Sequence, residues 1–230
     1  MDSMAQNLAR LQERIARAAQ RVGREPEKIG LVAVSKTVDA PRVRAAHAAG
    51  LRVFGENRAQ ELRDKSRELS DLSLEWHFVG SIQTNKVRYI VPTAELVHSV
   101  DRLAVARRIS QRASAERPQR LLVQVNTSGE ESKSGVQPDA LDALLEGLAE
   151  LPHLRVEGLM TIGPLTDDQR AIGSAFRLLR RLRDRARDAQ HPRMPLQHLS
   201  MGMTHDFELA IAEGATLLRI GTAIFGRREA

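Results

Sequence analysis

Eight short apolar runs alternate with longer segments of helical spacing along this chain, and that alternation leaves few folds open. The runs are Leu31 to Ser35, Leu51 to Phe54, Glu75 to Val79, Leu96 to Ser99, Leu121 to Asn126, Arg155 to Met160, Gln197 to Ser200 and Leu217 to Gly221. All have the length of strands. Helices are predicted between them over Pro41 to Ala49, Ala59 to Leu69, Asn85 to Ile90, Arg102 to Ala115, Pro138 to Leu151, Asp168 to Ala189 and Asp206 to Glu213. Two begin with Pro, whose missing N–H costs nothing in a first turn. A further helix, from Met4 to Val22, precedes the first strand; it places Leu8, Leu11, Ile15, Ala18 and Val22 on one stripe and ends at Gly23.

Strands alternating with helices build either an open doubly wound sheet or a closed barrel, and eight of them in 230 residues favour closure. No GxGxxG follows the first strand and no Walker loop occurs, which argues against a dinucleotide-binding unit and a P-loop. The expected fold is therefore an α/β (β/α)8 TIM barrel with an extra N-terminal helix. Without a linker or low-complexity tract, residues 1 to 230 are expected to form a single domain.

Composition narrows the function. A chain with 42% hydrophobic residues buries a core, and no apolar run approaches the roughly 18 residues of a membrane span. Absence of cysteine excludes disulfides, thiolate metal sites and a cysteine nucleophile, and it is compatible with the cytoplasm. The net charge of +6 raises the question of nucleic acid, but Phe, Trp and Tyr total only seven, too few for a base-stacking surface. Six arginines between Phe176 and Arg187 share their helix with Phe176, Leu179, Leu182 and Ala186, the pattern of a packed helix with a solvated outer face. No specific nucleic-acid partner is expected. The seven histidines form no HExxH or comparable pair, so no metal is expected either.

In a barrel the active face lies at the carboxyl ends of the strands. Here Lys36 closes the run Leu-Val-Ala-Val-Ser with a lone amine directed toward that mouth. An ordinary lysine is unprotonated only on the order of one part in a few thousand at neutral pH, so one that bonds a carbonyl needs burial or neighbouring positive charge. Position alone leaves two readings, a Schiff-base lysine and a solvated strand cap. Opposite it, Ser200-Met201-Gly202 and Gly221-Thr222 end the last two strands, where barrels bind phosphate on loop amides and a helix start. Arg219 falls in phase with Gly221 and so points inward, which calls for an acceptor: a strand-end carboxylate or a ligand ring nitrogen. His77 is open to two readings, a pocket residue or a hydrogen-bonded core histidine.

Several longer segments carry a resemblance: Leu31-Val-Ala-Val-Ser-Lys36; Phe54-Gly-Glu-Asn57 with Gln60-Glu61; Trp76-His-Phe-Val-Gly80 with Gln83-Thr-Asn-Lys86; Ser99-Val-Asp-Arg102; Val125-Asn126 with Lys133 and Gly135; Leu199-Ser-Met-Gly-Met203 with Asp206; and Arg219-Ile-Gly-Thr222 with Phe225-Gly226. Over nearly its whole length the chain resembles the pyridoxal 5′-phosphate (PLP) homeostasis proteins, the YggS or PROSC family. The resemblance implies that Lys36 forms a Schiff base with PLP, that Ser200, Gly221 and Thr222 hold its phosphate, and that Arg219 faces the pyridine nitrogen. It places Asn57, Met201 and His77 in the same pocket. Ser81 and Thr84, where the family often has Pro and Ser, and Thr204-His205 after Met203 are departures that touch substrate or partner contacts rather than the cofactor.

The fold also resembles the barrel domain of alanine racemase, but this chain has no room for that enzyme's second domain. Racemisation needs a base on each face of the cofactor, and besides the lysine there is one tyrosine, Tyr89, on a helix remote from the mouth. Arginine, with no acceptor to offer, makes the ring a weak electron sink. The expected role is a cytoplasmic PLP-binding protein of vitamin B6 homeostasis that buffers or transfers the cofactor with little or no turnover. Amino acids and apo forms of PLP-dependent enzymes are its candidate partners, and a monomer or weak dimer is expected. The alternatives are a low-activity, racemase-like enzyme acting on amino acids and a Schiff-base aldolase that works without PLP.

Overall fold

Eight parallel strands close into a barrel in sequence order, with the last paired to the first. They are β1 (Gly30–Val34), β2 (Val53–Glu56), β3 (Glu75–Phe78), β4 (Leu96–Val100), β5 (Gln119–Gln124), β6 (Leu154–Met160), β7 (His198–Ser200) and β8 (Leu217–Ile220). The computed structural model describes residues 4–130, 132–188 and 191–226. Helix α1 (Met4–Arg21) precedes the barrel and buries Leu8, Leu11, Ile15, Ala18 and Ala19 against α8 (Phe207–Ala212) and α9 (Thr222–Phe225). The others are α2 (Ala40–Ala48), α3 (Ala59–Glu68), α4 (Val87–Ile90), α5 (Leu103–Ser110), α6 (Leu141–Ala149) and α7 (Gln169–Arg187).

Local chemistry sets the helix starts. Asp39 accepts the Arg42 N–H ahead of α2, with Pro41 in the first turn, and Asp168 caps α7 through the Arg170 N–H. Most element ends fall within a few residues of the sequence expectation, and the larger differences have local causes. Strand β2 starts two residues late, because Leu51 is drawn back to the Ala46 carbonyl at the exit of α2. Helix α5 stops at Ser110: the Arg112 and Ala113 N–H groups both turn onto the Ile109 carbonyl, and Pro118 follows shortly after. The four-residue α9 has no counterpart among the predicted helices. Ala189, the expected end of the seventh barrel helix, lies outside the described residues.

The main core fills the layer between sheet and helices, around Phe54, Phe78, Phe176 and Phe207. A second, small apolar cluster of Leu96, Leu122 and Met160 with Leu217 lies inside the barrel. Gly55 faces β1, since a Cβ there would meet Val32 Cγ1 at 2.9 Å. On α7, Arg177 and Arg180 pair with Glu213 and Arg185 with Asp142. Arg183 departs from the expected outer face: it is 9% exposed and donates to the Gln197 carbonyl at 3.1 Å. No helix among the described residues is long and apolar enough to cross a membrane.

Candidate functional site

Val32 and Val34 both lie against the inward position of Gly55, and Lys36 follows them in the same alternation at the carboxyl end of β1. It is half-buried, and its amine makes no hydrogen bond or ion pair with any described residue. The next residue, Thr37, has φ +64°, a left-handed conformation that a β-branched side chain adopts only when its surroundings impose it. A buried cluster does so. Lys65 donates to the Ser35 carbonyl at 2.6 Å, to Glu56 Oε1 at 2.8 Å and to Glu61 Oε1 at 2.7 Å. The Thr37 N–H donates to the same Glu61 oxygen at 2.7 Å, and the Ser35 hydroxyl to Glu56 at 2.6 Å. Burial pushes the Glu56 carboxyl up, against the pull of Lys65 and Ser35.

Arg219 points inward, as its phase requires. It is 5% exposed and donates Nη1 to Ser200 Oγ at 2.6 Å and Nη2 to the Thr161 carbonyl at 2.7 Å. Both acceptors are neutral, so of the acceptors open to it from sequence a strand-end carboxylate is absent among the described residues within ion-pair distance. Asp206 acts only at longer range, and burial pushes Arg219 down to about 10. The Ser200 hydroxyl also pairs with His98 Nδ1 at 2.8 Å, His98 Nε2 with His77 Nδ1 at 3.0 Å, and His77 Nε2 with Glu75 at 3.0 Å. His77 is thus hydrogen-bonded inside the barrel, reaching Ser200 only through His98.

Gly221 caps α9 and lies so near β1 that a Cβ would stand 3.0 Å from the Val34 carbonyl oxygen. Thr222, exposed, opens α9, whose first N–H groups have no carbonyl within the helix. Across the mouth, Asn57 follows β2 with its Oδ1 buried and unpartnered. Gly80 lies directly over its backbone, where any Cβ would stand 2.1 Å from the Asn57 carbonyl oxygen. Met201 is not brought to this mouth by its side chain, which is fully buried in the main core.

The structure thus joins Ser200, Arg219 and His77 in one bonded file and sets Gly221 beside β1. Sequence reading missed His98 and the Glu56–Glu61–Lys65 cluster. His98 shares its inward phase with Leu96, and a histidine at an inward strand position was a usable signal.

The carboxyl ends of β1, β2 and β8 thus present an orphaned amide oxygen, a strand-end amine with no described partner and a glycine-capped turn, with a desolvated guanidinium on β8, the kinds of group a small phosphorylated aldehyde would engage. Barrel and site together place the chain in the class of the alanine racemase N-terminal domain, whose family model matches residues 6–229. Within that class it belongs to the pyridoxal phosphate homeostasis protein family. The relative from Pseudomonas aeruginosa is 51% identical over 100% of this chain and 97% of its own length, and that from Escherichia coli K12 is 43% identical over 100% and 98%. Among solved structures, PipY of Synechococcus elongatus with PLP bound matches with TM-score 0.84 and 37% identity, covering 97% of this chain and all of that one. Alanine racemase from Corynebacterium glutamicum shares the fold at TM-score 0.72 and 19% identity, the match covering 98% of this chain and 61% of that enzyme.

Proposed function

We propose that the protein holds PLP on Lys36 and buffers or passes it on in vitamin B6 homeostasis, acting as one cofactor-binding domain with little or no turnover. The observation that carries this reading is the unpaired Lys36 amine, fixed by a strained turn and set beside the Gly221–Thr222 turn. PLP supplies an aldehyde whose carbon bonds reversibly to a primary amine with release of one water. The chain's part is to aim the amine, receive the phosphate at Ser200, Gly221 and Thr222, and present Arg219 to the pyridine nitrogen. Asn57 Oδ1 is an acceptor without a partner until a ligand supplies a donor. His77 and Met201 support the pocket at one remove, His77 through His98 and Met201 through the core.

Arg219 underlies the low turnover. Its guanidinium offers hydrogens and no acceptor, so it cannot stabilise a protonated pyridine, and deprotonation of a bound amino acid is left without its usual electron sink. Tyr89 offers no second base: it lies on α4 beneath the guanidinium groups of Arg63 and Arg88. A cytoplasmic location, a monomeric or weakly dimeric state, and amino acids or apoenzymes as recipients belong to the same proposal.

The test is the absorption spectrum of the protein with PLP, followed by borohydride reduction and peptide mass mapping. A band lost on reduction, with pyridoxyl mass on the Lys36 peptide, is expected; no band and no adduct would refute the reading. Ser200→Ala and Thr222→Ala should each weaken retention by roughly 1.5 to 3 kcal/mol, the worth of a charge-assisted hydrogen bond. Unchanged affinity of the double variant, measured by equilibrium dialysis, would remove the phosphate from this turn.

A further inference from the structure

A file of hydrogen-bonded side chains crosses the barrel from Glu75, at the first residue of β3, to Arg219 near the carboxyl mouth. The direction of every bond follows from its two ends. Glu75 is held below the usual carboxylate range by its bond to His77, with Arg120 assisting, so it only accepts and His77 Nε2 donates. When that ring is neutral its Nδ1 accepts, and His98 must give Nε2–H. His98 is fully buried, and burial together with His77, Arg219 and His198 keeps it neutral, so its Nδ1 accepts the Ser200 hydroxyl proton. Ser200 Oγ in turn accepts from Arg219. In this order Ser200 has no proton to offer a ligand.

We infer that an anion at Ser200 reverses the file and draws one proton into the barrel, which comes to rest on His77 against Glu75. This rests on the reading that Ser200 receives the phosphate of PLP. The atoms balance as follows. One proton enters at the mouth and stays on Ser200 Oγ, now directed to the anion; the former hydroxyl proton passes to His98 Nδ1; the His98 Nε2 proton passes to His77 Nδ1. His77 becomes an imidazolium with Nε2–H still on Glu75. Glu75, His77 and His98 are then positioning residues that set, from the far end of the barrel, whether Ser200 can donate.

The surroundings suit that resting place. Around His77 stand Glu75 on its own strand, His98 on β4, Arg120 on β5, Glu157 on β6, His198 on β7 and, beyond His98, Arg219 on β8, while β1 and β2 present Val32, Val34 and Gly55. Glu157 is taken up by Arg120 at 2.9 Å and Arg155 at 3.0 Å, with His198 at 3.9 Å. Arg120 stands 3.9 Å from Glu75, which leaves Glu75 the carboxylate in direct contact with His77.

Glu75→Gln is the decisive variant, because it lies at the partly exposed end and keeps the shape of the side chain. Its amide can donate to His77 Nε2, so the reversed order needs no added proton. Calorimetry of the full chain with pyridoxine 5′-phosphate, which has no aldehyde, is run in two buffers of different ionisation enthalpy at about pH 8, where the phosphate is dianionic. The wild type should take up about one proton on binding and so bind more weakly as the pH is raised. E75Q should take up none and bind more tightly at the same pH. In nitrogen-15 NMR of the wild type, the His98 proton should move from Nε2 to Nδ1 on binding. Equal uptake in both proteins, no uptake in either, or an unchanged His98 tautomer overturns the relay and leaves the cofactor reading in place. No binding by the wild type, with no PLP retained on Lys36, overturns both.

Discussion

Lys36→Ala is expected to lose borohydride-trappable PLP altogether and to weaken retention by on the order of a hundredfold or more, about 3 kcal/mol. The substitution removes the amine proposed to bond the aldehyde, while the Gly221–Thr222 turn proposed for the phosphate is untouched. The fold should survive, because the Lys36 amine bonds to no described residue. A variant with normal denaturation and no pyridoxyl adduct would confirm that the loss is chemical. An adduct relocated to Lys65 would mean that the buried cluster opens. The same variant separates carrier from enzyme: sustained amino-acid turnover by the wild type, well above free PLP and absent from Lys36→Ala, would defeat the carrier reading.

Lys65→Met should have the largest effect on stability, about 3 to 5 kcal/mol at neutral pH, because one partner of a buried ion pair is removed and the other remains. Methionine keeps much of the side-chain packing but removes three donated hydrogen bonds at once. Glu56 is 0% exposed and keeps only the Ser35 hydroxyl. The sign of the pH dependence follows from Glu56. Its folded pKa is already raised by burial, and without Lys65 it rises further, so the folded state gains relative stability when the group is protonated. The defect should therefore be largest above that raised pKa and shrink as pH falls through it. Denaturant midpoints across a pH series check this, and adding Glu56→Gln should recover part of the loss. A defect independent of pH would show that packing, not charge, holds the turn. Since the cluster also fixes Thr37, Lys65→Met should slow PLP capture even where the protein remains folded.

Most of the barrel was legible because strand and helix periods differ so plainly: five- and six-residue runs such as Leu31 to Ser35 and Arg155 to Met160 stand apart from the stripe of α1. Boundaries slipped where a turn competed for the ends of a run, as at Leu51 and after Ser110. Lys36, Arg219 and Gly221 could be placed by phase alone, since alternation along a strand dictates which side each faces. Pairings across the barrel could not be read this way. Whether Ser200 meets His98, or Lys65 reaches back to Ser35, depends on the stagger of strands and the pitch of α3, which no single segment encodes. Met201 illustrates the converse: adjacent to Ser200 in sequence, it is turned by the same alternation into the core.

Ring closure has a kinetic consequence. Lys36 follows the first strand, Arg219 lies on the last with Gly221 and Thr222 directly after it, and these two strands pair with each other. No partly synthesised chain that lacks β8 contains the mouth, so PLP cannot assist the early stages of folding. Contacts of such long sequence separation form late and slowly. The appearance of the cofactor's absorption during refolding should therefore lag helix formation, and it would time the moment at which the circle of strands is joined.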